Sequence, residues 1–136
     1  MDAIYSLDEK HVVQLHNLYQ QEWWSKDRTI SETKNCVAGS QICIGLVDDG
    51  HNLLGFARVL TDYTFKALIF DIIVLKSERG KGLGDKLISL VKAHRELKTV
   101  KHFELYCLPD MFSFYTERGF SLDVGELKLM RLISPC

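Results

Sequence analysis

An apolar run broken by a single carboxylate, Ile69-Phe70-Asp71-Ile72-Ile73-Val74-Leu75, leads almost at once into Arg79-Gly80-Lys81-Gly82-Leu83-Gly84. Beyond these glycines, Leu83, Leu87, Leu90, Val91, His94 and Leu97 recur with helical period and make one apolar face. The chain therefore runs from a buried strand through a glycine-rich loop into a helix. The first amides of a helix have no partner within it and carry partial positive charge. Glycine lets an anion approach them closely, and Arg79 and Lys81 add full charges. Such a unit is suited to hold phosphate.

Three kinds of phosphate loop come into question. A P-loop has the form G-x-x-x-x-G-K-[ST]. Here Gly84 is followed by Asp85 and Lys86, and no Ser or Thr comes next to hold magnesium. A dinucleotide fingerprint has the form G-x-G-x-x-G. The spacing here is G-x-G-x-G, and little chain follows for a second nucleotide half, yet Glu104 lies at about the distance of a ribose-binding acid. That nucleotide-binding alternative stays open. The third form, R-x-x-G-x-G, is matched by Arg79, Gly82 and Gly84. It resembles the pyrophosphate loop of the GNAT superfamily of acyl-CoA-dependent N-acyltransferases. Downstream, Phe114-Tyr115-Thr116-Glu117-Arg118-Gly119-Phe120 is similar to the superfamily's F-Y-x-x-x-G-F segment. Upstream, the stretch from Leu54 to Tyr63 resembles the third strand of small bacterial members. The resemblance covers roughly residues 8 to 130.

The resemblance implies an α/β fold of the GNAT type. A central mixed sheet, mostly antiparallel, holds one splayed parallel pair and is flanked by about four helices. The splayed pair is Lys66–Leu75 and Lys101–Leu108. Main-chain groups left unpaired by a splay need partners, and the amides of a pantetheine arm can supply them as an added strand does. The resemblance gives this role to Ile73, Val74 and Leu75. It gives the pyrophosphate to the loop Gly80, Lys81, Gly82, Leu83 and Gly84 with Arg79, and the thioester oxyanion to an N–H near Ile73 or Val74. Tyr115 is the implied acid for the departing thiolate. Acetyl-CoA is the implied co-substrate, with no metal.

Asp71 is read from its setting. A carboxylate inside an apolar strand is rarely buried without a partner. It is the first candidate for the base that takes a proton from the acceptor amine, with Glu104 the second. The other reading of Asp71 is an ion pair with a nearby Lys or Arg. The expected activity is transfer of acetyl to a primary amine by direct attack in a ternary complex, the amine belonging to a small molecule or to a protein. A non-catalytic acyl-CoA-binding module on the same fold is the alternative.

The 136 residues suit one domain. A net charge of −1 with interspersed signs favours neither nucleic acid nor an anionic membrane surface. No apolar run reaches the roughly 20 residues of a membrane span, and Met1-Asp2-Ala3 does not open a secretory signal. The expectation is a cytoplasmic protein. Cys36, Cys43, Cys107 and Cys136 show no C-x-x-C or zinc spacing, and reduced thiols are expected, with Cys136 exposed.

Along the chain, the pattern predicts a short edge strand at Ala3–Ser6 and a helix capped by Asp8 that runs to Trp23. A short helix opens at Ser31 and ends near Gly39. Strands at Gln41–Val47 and Leu53–Thr61 flank the turn Asp48–Asn52. Pro109 ends the strand at Lys101–Leu108, and Asp110 caps a helix over Met111–Arg118 that Gly119 closes. Phe120–Val124 and Glu126–Ile133 read as paired last strands, which offer a surface for a homodimer. One of Trp23 and Trp24 is expected in the core.

Overall fold

In the computed structural model, which describes residues 1–135, the chain divides into two compact units, Met1–Tyr106 and Cys107–Cys136. In the first unit, strand β1 (Asp2–Ile4) precedes helix α1 (Glu9–Tyr19) and helix α2 (Ile30–Ala38). Strands β2 (Ile42–Val47), β3 (Leu53–Thr61) and β4 (Lys66–Val74) follow, then helix α3 (Leu83–Lys92) and strand β5 (His102–Glu104). The sheet order is β1-β2-β3-β4-β5. The first three pairs are antiparallel, and β4 pairs with β5 in parallel. The expected mixed, mostly antiparallel sheet is therefore present.

Local chemistry sets the element ends. Asp8 accepts from the backbone N–H of His11 at 2.9 Å, and the His11 ring accepts from the Asp8 amide, which closes a capping box on α1. Thr29 and Glu32 do the same for α2, so that helix opens one residue earlier than Ser31 would have it. Helix α1 stops at Tyr19, not Trp23. Residues 20–27 form turns and bends, and neither tryptophan enters the core: Trp23 is 70% and Trp24 39% exposed.

Helices pack on both faces of the sheet. Phe56 joins Leu15, Leu18, Tyr19, Val47, Leu53 and Ile73 in a core under α1. Its neighbour Gly55 points to the other face, where a Cβ would stand 3.4 Å from the Leu87 side chain of α3. Leu83, Leu87, Ile88 and Val91 of α3 are all buried. Each such side chain contributes about 1.5–3 kcal/mol when removed from water. His94 lies past the end of α3 and caps a short 3-10 turn, Arg95–Leu97, through its ring.

Strand β4 carries a bulge. Phe56 pairs with Ile73 and Arg58 with Phe70, so Ala57 alone faces both Asp71 and Ile72. Asp71 takes the left-handed conformation there, with φ of 55°. Beside it, β5 is much shorter than Lys101–Leu108 and pairs only at Lys66↔His102, Ala67↔Phe103 and Leu68↔Glu104.

The second unit begins with a 3-10 turn at Pro109–Met111 and helix α4 at Phe112–Thr116. Asp110 lies inside that turn and caps neither element. Gly119, with φ of 96°, follows the helix end. The expected last strands do not form among the described residues: positions 120–135 have no ladder partner. Their apolar alternation is real, yet Leu127, Met130, Leu132 and Ile133 remain 73% to 94% exposed. Alternation supplies a face for burial, but a strand also needs a neighbour for its amides. Cys136 lies outside the described residues. Cys36, Cys43 and Cys107 are free thiols, and no helix among the described residues is long and apolar enough to cross a membrane.

Candidate active site

The β4–β5 ladder ends at Leu68 and Glu104, so from Ile69 onward the outer edge of β4 has no ladder partner among the described residues. Which groups it presents follows from the β3 side. The Leu75 amide donates to the Leu54 carbonyl at 2.8 Å, and the Leu75 carbonyl accepts from the Glu78 amide at 2.8 Å. Both main-chain groups of Leu75 are thus occupied, which removes it from the expected pantetheine partners. Successive amides of an antiparallel strand face alternate sides, so with Leu75 turned to β3 the Val74 amide faces the open edge. Ile73 directs its side chain into the core, where it is 3% exposed.

A 3-10 turn at Lys76–Glu78 leads from β4 into the glycine loop. Gly80 and Gly82 have φ of 80° and 83°, and Gly82 is the residue before the first turn of α3. Nothing lies within 4 Å of where their Cβ atoms would stand, so conformation rather than space calls for glycine. No side chain caps this helix. The main-chain N–H groups of Gly80, Lys81, Gly82, Leu83 and Gly84 have no hydrogen-bond acceptor among the described residues. Arg79 bridges the loop to the strand: its Nε donates to the Val74 carbonyl at 3.2 Å, and its Nη2 pairs with Glu22. Lys81 pairs with Glu78 at 2.8 Å.

Asp71 is the centre of a charged cluster. Its side chain is 6% exposed. Arg28 donates to it from Nη1 at 2.6 Å and Nη2 at 3.3 Å, Arg58 from Nε at 2.7 Å, and the Tyr19 hydroxyl at 2.9 Å. Burial pushes the carboxyl pKa up, but the hydrogen bonds and charges of Arg28 and Arg58 outweigh it, and the net direction is down. The Tyr19 phenol moves the opposite way, well above its ordinary value, through burial and then the Asp71 charge. The ion-pair reading of Asp71 therefore holds, and a carboxylate so stabilised is a weak proton acceptor. Glu104, the second candidate, pairs with Lys66 at 3.0 Å.

Sequence reasoning missed Tyr19, Arg28 and Arg58. Arg58 left a signal: it interrupts an apolar strand just as Asp71 interrupts the next one, and adjacent strands bring such pairs together. Arg28 left none, because it follows a turn without periodicity.

In the second unit, Tyr115 packs edge-on against Phe114 and Phe120, with ring centroids 5.0 and 5.8 Å away. Its phenol is pushed up to about 12, by burial and then by the Cys107 thiol, against the opposing Arg118. Among the described residues its hydroxyl has no hydrogen-bond partner, and it is not sealed from solvent.

Residues 7–120 match the Acetyltransferase (GNAT) family. The chain belongs to that family. A GNAT-family protein of Xanthomonas campestris pv. campestris superposes with a TM-score of 0.82 at 28% identity, over 99% of this chain and 95% of that one. The protein of Porphyra purpurea named uncharacterized N-acetyltransferase ycf52 is 32% identical over 88% of this chain and 70% of its own length. Serotonin N-acetyltransferase 2 of Oryza sativa subsp. japonica is 32% identical over a shorter stretch, 57% of this chain and 38% of its own. An aminoglycoside 6'-N-acetyltransferase complexed with coenzyme A shares the GNAT fold, with a TM-score of 0.64 over 77% of this chain and 61% of its own at 19% identity.

Proposed function

We propose that this GNAT-family chain transfers acetyl from acetyl-CoA to a primary amine by direct attack in a ternary complex. One observation carries the proposal: five unpartnered amides at residues 80–84 stand at the end of a strand whose outer edge is open. The pyrophosphate sits on those amides, with Arg79 and Lys81 released from Glu22 and Glu78 to meet it. Pantetheine runs along the open edge of β4 and pairs with Val74. The thioester carbonyl lies nearby, where one aligned N–H is worth about 3 kcal/mol to its oxyanion.

A primary ammonium has a pKa near ~10 and must lose its proton before attack. Asp71 does not serve as that base. It holds Arg28 and Arg58 in place, and the proton leaves through water at the splay. The amine nitrogen attacks the thioester carbon, the tetrahedral adduct collapses, the C–S bond breaks, and the nitrogen gives up its surplus proton through the same water, which returns one to the departing sulfur. We assign to Tyr115 the hydrogen bond that steadies the thiolate as it leaves. Support comes from its place in the F-Y-x-x-x-G-F segment and from a hydroxyl that no protein group occupies. With its phenol near 12 it is fully protonated at neutral pH, and it acts by donating a hydrogen bond as negative charge grows on sulfur.

Calorimetric titration with CoA, acetyl-CoA, ATP and NAD, followed by thiol release with an amine panel, tests the reading. CoA and acetyl-CoA are expected to bind and the other two not. Binding of ATP or NAD in preference would refute it. Acetyl-CoA binding without thiol release for any amine would instead identify a sensing module.

A further inference from the structure

The cluster around Asp71 does not balance its charges. One carboxylate faces two guanidiniums, and neither arginine makes a salt bridge to a second acid among the described residues, although the exposed Glu32 carboxylate feels the Arg28 charge. Each guanidinium carries five N–H groups. Arg28 uses Nη1 and Nη2 on Asp71, and Arg58 uses Nε on Asp71 and Nη1 on the Ser40 hydroxyl at 3.4 Å. Among the described residues, Nε of Arg28 and Nη2 of Arg58 have no protein partner. No fully buried side-chain nitrogen or oxygen is left unsatisfied there, so neither atom is sealed off.

Aromatic rings fix the two guanidinium groups. The Arg28 carbon lies 4.5 Å from the Tyr19 ring centre and 5.4 Å from that of Trp24, and the Arg58 carbon 5.1 Å from that of Phe70. Tyr106 braces Phe70 edge-on at 5.7 Å. With their faces covered, the guanidiniums offer N–H edges, the geometry that carboxylates and phosphates accept in pairs. The anchor is also close to the chemistry: Asp71 is two residues from Ile73 on β4, about 7 Å along a strand.

We propose that the acceptor amine carries an anionic oxygen group, a carboxylate or a phosphate monoester, which docks on Arg28 and Arg58 while its nitrogen faces the thioester. This rests on the acyl-transfer reading above. A polyamine or another wholly cationic acceptor meets two guanidiniums held on one carboxylate here, whereas an anionic group supplies a second counter-charge. Trp24, whose ring lies beside the Arg28 guanidinium, is itself exposed.

The test uses the full chain saturated with CoA and measures binding, by calorimetry and tryptophan fluorescence, of matched amines. The pairs are β-alanine with propylamine, γ-aminobutyrate with butylamine, and O-phosphoethanolamine with ethanolamine. At least one amine that bears the carboxylate or phosphate is expected to bind about ten-fold more tightly than its partner without that group. Which pair shows the larger gap distinguishes carboxylate from phosphate. In Arg28→Gln or Arg58→Gln the gap is expected to close while CoA affinity holds, since Asp71 keeps one arginine in each. Arg58→Lys retains the charge and is expected to retain part of the preference. In the unmodified protein the gap is expected to shrink with added salt, a readout independent of any variant's folding. Amines without the acidic group that bind as well as their partners with it, carboxylate- or phosphate-bearing amines that fail to bind at millimolar concentration, or a gap insensitive to salt would overturn the proposal. Failure of CoA itself to bind is read in its own titration and refutes the acyl-transfer reading instead.

Discussion

Replacing Asp71 by Asn removes one charge and almost no volume, and its cost can be worked from the contacts. The carboxylate accepts four hydrogen bonds, three of them from guanidinium groups, at 2.6 to 3.3 Å. An amide keeps one acceptor and turns its two donors toward guanidinium groups that can only donate, with the Tyr19 hydroxyl the one partner able to accept. Two guanidiniums are left facing each other without a counter-charge, and the Asp71 site is nearly closed to solvent. Removing one member of a buried pair costs about 3–5 kcal/mol. Arg28 is 28% exposed and recovers some hydration, which sets the expectation at about 3 kcal/mol, or a midpoint lower by on the order of 10 °C. The sign with pH follows from linkage. The carboxyl pKa lies below its ordinary 3.8 in the folded state, so its stabilisation is complete above that value and is lost as pH falls through the folded one. Denaturant unfolding of both proteins from pH 7 down to about pH 2 checks this. The gap between them is expected to be full at neutral pH and to narrow below about pH 4. A gap under about 1 kcal/mol at pH 7, or one that stays constant into acid, refutes the buried-anchor account.

Gly82→Ala forces a side chain to φ of 83° in open space, so its cost is conformational, about 1–2 kcal/mol; CoA affinity by calorimetry is expected to fall with it, and an unchanged affinity would remove the loop from the coenzyme site. Tyr115→Phe is expected to lower turnover about 10²-fold or more with CoA binding intact. Because that phenol is pushed up to about 12, the wild-type rate is expected to rise with pH as the amine deprotonates and to show no loss from phenol ionisation before about pH 11; a descending limb near pH 10 in the wild type but not in the variant contradicts the shifted phenol. Thr29→Ala removes the hydroxyl that accepts from the Glu32 amide and leaves the other half of the α2 capping box, the residue-29 amide on the Glu32 carboxylate, in place; it is expected to cost about 1 kcal/mol in urea unfolding, with no change in CoA affinity.

The sheet was the most legible part of the chain. Leu53–Thr61 is bounded as its pattern predicts, because a buried strand between two turns of strong turn residues leaves little choice. The glycine loop was legible for the same reason, since positive φ at two nearby positions restricts the residue type. Helix α1 was overrun by four residues because its end carries no Gly or Pro; Gln20 closes it by local hydrogen bonds that any residue can make. The last strands were overread, since apolar alternation at Leu127, Leu129 and Ile133 says which face wants burial but names no ladder partner. Within the site, the identity of the special residue at position 71 was legible, and its role was not. That role depends on Arg28, 43 positions away in sequence, and no local pattern reports such a meeting.

The single left-handed residue of β4 is also the one that gathers the arginines. The bend of the strand and the placement of the charges therefore share one pivot. Glycine at 71 would ease the main chain and scatter the guanidiniums, while a bulkier acid would displace them along with the bend. If the proposed anchoring of an acidic acceptor holds, new acceptor preferences on this scaffold are more readily reached by change at Arg28, Arg58 and the neighbouring Trp24 than at the pivot itself.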